Sequence, residues 1–131
     1  MDVLGVDHID LTVNDLARSA PFYEKVLGAL GFRRVPHATY LVWANAHLAI
    51  GLRAAAPAAR EAAFDRYRVG LHHFALRVRR RDEVDRVHDL LVRDGITVLD
   101  PPADPEYGPQ YYAVFFAESE GGDERPRYAP K

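Results

Sequence analysis

The chain has 131 residues, 48% of them apolar, a formal net charge of −2 and no cysteine. Such a composition suits one compact domain or two intimately packed half-domains and excludes a disordered chain. It also excludes a disulfide framework, a thiolate metal site and a cysteine nucleophile, and it gives no sign of a nucleic-acid or membrane surface.

The first residues, M-D-V-L-G-V-D-H, lack a basic start and a long apolar run, so no signal peptide is expected. No apolar stretch approaches the length of a membrane span, and a cytoplasmic protein is the expectation. Residues 6–13, V-D-H-I-D-L-T-V, alternate apolar and polar, the period of a strand with one face against a helix. Asn14 and Asp15 are good helix openers, and Leu16, Ala20, Tyr23, Leu27 and Leu30 then form one apolar stripe. Pro21 fits best in a first turn, so an irregular turn at 15–18 and a regular helix capped by Ser19 are expected. Gly31 ends the helix. Short strands follow at 32–35, 39–44 and 47–53, with a tight turn at Asn45-Ala46. Residues 54–68 are Ala-rich and charged and read as a linker, with a turn or two of helix around 61–67.

Residues 71–78, L-H-H-F-A-L-R-V, echo the first strand, and His73 stands where His8 stands, 65 positions earlier. Asp82 is the expected cap of a second helix whose buried stripe is Val84, Val87, His88 and Leu91, and Gly95 closes it as Gly31 closes the first. The run Arg79-Arg80-Arg81 falls at the turn before this helix, with Asp82, Glu83 and Asp85 after it, and reads as solvated. A strand at 96–99, a proline-rich loop at 100–110 and a strong strand at 111–117 follow. The echo requires a last strand after Ala117, although glycines, acids and a proline there oppose one. The fold class expected is therefore α+β, built from two β-α-β-β-β modules at 1–55 and 70–131 joined by a linker at 56–69.

The repeated order resembles a known superfamily. The motifs are V-D-H-I-D-L-T-V-N-D-L, F-Y-E-K-V-L-G-A-L-G-F, G-L-H-H-F-A-L-R-V and Y-Y-A-V-F-F-A. Together they are similar to the vicinal oxygen chelate superfamily, which includes glyoxalases, bleomycin-resistance proteins and extradiol dioxygenases. The resemblance implies curled mixed sheets around a cavity, with a His on the first strand of each module offered to a divalent metal such as Zn, Ni, Mn or Fe. By motif position these are His8 and His73. The last strand of each module usually adds a carboxylate. Here the matching places fall near Gly51 and at Arg125, and neither carries one. Arg125 would repel a cation and suit an anionic ligand. A bulge near Gly121-Gly122 would instead turn Glu124 inward.

Two readings follow. A metal-dependent lyase, isomerase or dioxygenase would use His8 and His73 as ligands and Glu124 or Asp10 as base. Asp10 is also placed to orient His8 or to pair with Arg77. A binding protein that has lost the metal carboxylates would need only the cavity. Its substrate contacts are expected from Trp43, Tyr112, Arg77, Arg125 and Tyr107, the last on a loop suited to a lid. A third class is a degenerate module kept for assembly. There is no Gly-rich phosphate loop, so no nucleotide cofactor is expected. The expected partners are a small-molecule ligand and a second copy of the chain, a homodimer.

Overall fold

The structure, a computed structural model, describes residues 1–60, 64–103 and 111–118. The chain divides into two compact units, Met1–His73 and Phe74–Lys131.

In the first unit β1 (His8–Val13) leads into α1 (Leu16–Ala29), followed by β2 (Arg33–Val35), β3 (Leu41–Ala44) and β4 (Ala49–Ala54). These strands form one sheet in the order β1-β4-β3-β2. β1 runs parallel to β4, while β2–β3 and β3–β4 are antiparallel. A crossover helix is what lets β1 lie parallel to another strand of its own sheet. Helix α1 begins four residues earlier than its sequence suggests. Asp15, not Ser19, is the cap: its carboxylate accepts from the backbone N–H of Ala17 at 2.9 Å and of Arg18 at 3.2 Å. Satisfying two otherwise unbonded donors favours the longer helix, even though Pro21 then lies inside it. The helix ends in a Schellman turn. Gly31, at φ +83°, donates to the Gly28 carbonyl at 3.1 Å, and Phe32 donates to the Leu27 carbonyl at 2.9 Å.

The ladder register sorts the sheet into two faces, because directly paired residues point the same way. Ile9 pairs with Ile50, which pairs with Trp43, and Leu11 pairs with Leu52, which pairs with Leu41. Ile50, Leu52 and Trp43 are fully buried and, with Val26 and Leu27 of α1, make the core of the unit. The opposite face carries His8, Asp10, Thr12, Gly51 and Arg53. After β4 comes a 3-10 turn at Pro57–Ala59; of the helix expected around 61–67, residues 64–67 are not helical and 61–63 lie outside the described residues.

In the second unit α2 (Arg81–Arg93) is followed by β5 (Thr97–Ala103) and β6 (Ala113–Ala117), which pair antiparallel. The helix is capped at Arg80 rather than Asp82, because the Glu83 carboxylate reaches back to the N–H groups of Arg79 and Arg80, both at 2.9 Å. Its end repeats that of α1: Gly95, at φ +67°, donates to Val92 at 3.2 Å and Ile96 to Leu91 at 2.8 Å. β5 runs on through Pro101 and Pro102, which the sequence assigns to a loop. The register shifts between Val98 and Asp100 and again between Asp100 and Ala103, and such irregularities accommodate residues that lack an N–H donor. Residues 71–78 join no ladder among the described residues. The strand expected after Ala117 falls on positions 119–131, which lie outside the described residues.

Candidate functional site

Gly51 is the centre of the helix-free face of the first sheet. A Cβ at this position would overlap the Asp10 carboxylate and meet the Tyr40 ring at 3.0 Å. The missing side chain is thus what lets Asp10, its ladder partner on β1, lean over β4. There the carboxylate meets Arg53, also on β4 and two residues along on the same face. Arg53 Nε donates to Asp10 Oδ2 at 2.9 Å, and Nη2 lies 2.9 Å from the same oxygen. The guanidinium stacks 3.7 Å above the Tyr40 ring, close enough for a cation–π contact. The centroid of the His37 ring lies 3.8 Å from that of Tyr40. Asp10 Oδ1 has no hydrogen-bond partner among the described residues.

His8 shares this face. Its Nδ1 lies 2.9 Å from Asp7 Oδ2, and that hydrogen bond, with the charge of Asp10 adding to it, holds the imidazole pKa above its ordinary 6.5. His73 Nδ1 is 2.7 Å from His72 Nδ1, and His72 in turn meets the Tyr67 ring edge-on. A divalent cation needs three or four nitrogen and oxygen donors. Among the described residues no group of three or more His, Asp or Glu side chains could hold one. Gly51, at the centre of this face, supplies no side-chain donor. Asp10 is neutralised by a guanidinium that would repel an approaching cation. The described residues of the first unit therefore do not fit a divalent metal.

Other residues singled out from sequence lie elsewhere. Trp43 sits on the helix side of the sheet: its indole N–H donates to Glu24 of α1 at 2.7 Å, and Arg34 stacks on it at 4.9 Å. The register that pairs it with Ile50 puts it there, away from the Gly51 face. Tyr112 faces α2, donating its hydroxyl to Asp85 at 2.6 Å beneath the Arg81 guanidinium. Arg77 is exposed in the second unit. Tyr107, Glu124 and Arg125 lie outside the described residues. Arg53 and Tyr40 were not legible as site residues, because nothing local reveals the parallel register that brings Arg53 beside Asp10. A glycine in a strand otherwise rich in β-formers was the available signal.

The sequence profile of the Glyoxalase/Bleomycin resistance protein/Dioxygenase superfamily matches residues 5–122. The chain belongs to this superfamily. A glyoxalase candidate from Bacillus halodurans superposes with a TM-score of 0.77 at 24% identity, covering 87% of each chain. The glyoxylase/bleomycin resistance protein/dioxygenase domain from a Frankia species gives 0.67 at 23% identity, covering 90% of this chain and 91% of that one. Lactoylglutathione lyase from Agrobacterium tumefaciens gives 0.61 at 16%, covering 91% and 89%. At these identities the likeness shows the glyoxalase fold alone. Comparison with curated proteins gave no match. Among the described residues no helix is long and apolar enough to cross a membrane.

Proposed function

We propose that this superfamily member binds a small organic molecule on the first-module face formed by Asp10, Tyr40, Gly51 and Arg53, and that it does so without a metal held in that module. The observation that carries this reading is the Asp10–Arg53 pair lying over Gly51. It sets a neutralised ion pair beside Gly51, where the resemblance implies a metal carboxylate, and brings an aromatic ring, an acceptor oxygen and a half-exposed arginine side chain together. Small-ligand sites are built from such a mixture of ring surface and a few placed polar groups.

A metal-dependent lyase, isomerase or dioxygenase is the second reading, and His8 favours it. A carboxylate behind one imidazole nitrogen is the usual arrangement for a metal-bound histidine, leaving Nε2 free to bind. That reading needs His73 and a carboxylate such as Glu124 beside it. The two are separated by titrating Zn²⁺ and Mn²⁺ into chelator-treated protein by calorimetry, with a parallel fragment screen read from backbone amide shifts. Binding without metal predicts metal affinities weaker than about 10 µM and fragment-induced shifts on β1 and β4. One tight site per chain, lost in His8→Ala, would overturn it in favour of the metalloenzyme.

A further inference from the structure

Resting on that reading, we propose that Arg53 is the anchor for the carboxylate of a small organic acid. The guanidinium is fixed before any ligand arrives. One edge, Nε and Nη2, is held by Asp10 at 2.9 Å, and its plane is held by the Tyr40 ring at 3.7 Å. Among the described residues no acceptor engages Nη1. The outer edge, formed by Nη1 and Nη2, is the one Asp10 does not span, and the Arg53 side chain is 47% exposed. An arginine has five N–H donors in a rigid fork, and the two on this edge match the two oxygens of a carboxylate. Because packing and the ion pair have already restricted the side chain, little further rotamer freedom is lost on binding.

The same neighbours set the ligand class. Asp10 cancels the charge of Arg53, so the site offers a two-donor edge to a planar carboxylate but no net positive charge to offset the desolvation of a doubly charged phosphate. The Tyr40 and His37 rings, 3.8 Å apart, supply apolar surface for the rest of the acid. Gly51 is what keeps the anchor in place, since any side chain there displaces Asp10 and releases the inner edge of Arg53.

The test uses the full chain and three probes that share a phenyl ring: benzoate, its neutral isostere benzamide, and phenyl phosphate, titrated at low ionic strength and followed by amide shifts. Benzoate is expected to shift β1 and β4 and to bind about tenfold or more tightly than benzamide, and more tightly than phenyl phosphate. Arg53→Gln should lose about tenfold in benzoate affinity, and Arg53→Lys several-fold, because an ammonium keeps the charge but not the fork. Gly51→Ala should weaken benzoate without unfolding the protein. Arg34→Gln, on the opposite face over Trp43, should change nothing. Benzoate that fails to bind at millimolar concentration, or that binds Arg53→Gln as tightly as wild type, overturns the anchor. Benzamide binding equally well on β1 and β4 also overturns it, while leaving ligand binding at this face intact. Shifts confined to α1 and β2 for every probe would instead overturn the binding face itself.

Discussion

At the scale of single residues, one glycine and one serine show how burial decides meaning. Gly51 reads as a place where a carboxylate is missing until its neighbours are placed, and then it becomes the floor under the carboxylate of Asp10. Ser19 reads as a helix cap, but it lies within α1 at 2% exposure, with its Oγ buried and lacking a hydrogen-bond partner among the described residues. A buried hydroxyl without a partner costs about 1–3 kcal/mol, and Ala is also the better helix former. Ser19→Ala is therefore expected to stabilise the protein by about 1 kcal/mol, measured by urea denaturation with Trp43 fluorescence as the probe. A destabilised variant would show that the hydroxyl has a partner and that the first turn of α1 is arranged differently.

At the scale of elements, the helix ends were the most legible parts of the chain. Gly31 before Phe32 and Gly95 before Ile96 announce matching Schellman turns, because only the backbone conformation a glycine adopts freely closes them. The helix starts were less legible. Several Asp, Ser and Arg residues crowd each one, and the outcome depends on which side chain satisfies more backbone donors. At α2, Glu83 does so, which frees Asp82 to hold Arg80 and Arg86. The hydrogen bond from Arg80 is the main cause that lowers the Asp82 carboxyl from 3.8 to about 2, with Arg86 adding to it. A depressed carboxyl contributes stability that is fully present above its unfolded value of 3.8 and is lost as pH falls through about 2. Both partners are exposed, so the contribution is small and salt-sensitive. Carbon-detected NMR should find Asp82 titrating near 2 and moving back toward 3.8 in Arg80→Ala. An ordinary midpoint in the wild type would mean that the ion pair does not persist in solution.

For the whole molecule, the duplicated pattern made the superfamily legible, whereas the chemistry of this member was not. Two histidines at matching strand positions indicated a metal. Gly51 already read as standing where the superfamily usually keeps a carboxylate, but the turning of Asp10 toward Arg53 is a long-range pairing that no local pattern encodes. Assembly is the remaining question at this scale. β1 ends the four-stranded sheet, and strand edges template further pairing unless they are covered. The residues leading into it are apolar and open to solvent, Val3 at 93%, Leu4 at 100% and Val6 at 61% exposure. Three exposed aliphatic side chains in six residues exceed the scattered apolar residues usual on a monomer surface. We expect a second copy of the chain to cover them, giving a homodimer with two-fold symmetry. Sedimentation velocity at tens of micromolar, roughly the range in which such interfaces are populated, should show a dimer, and Leu4→Asp should shift it toward monomer. A wild type that sediments as a monomer, or a dimer unmoved by Leu4→Asp, would place any self-association elsewhere. Tested alongside, Arg53→Gln should leave the dimer intact, because Arg53 faces outward from the sheet interior beside Asp10 and takes no part in the N-terminal apolar run.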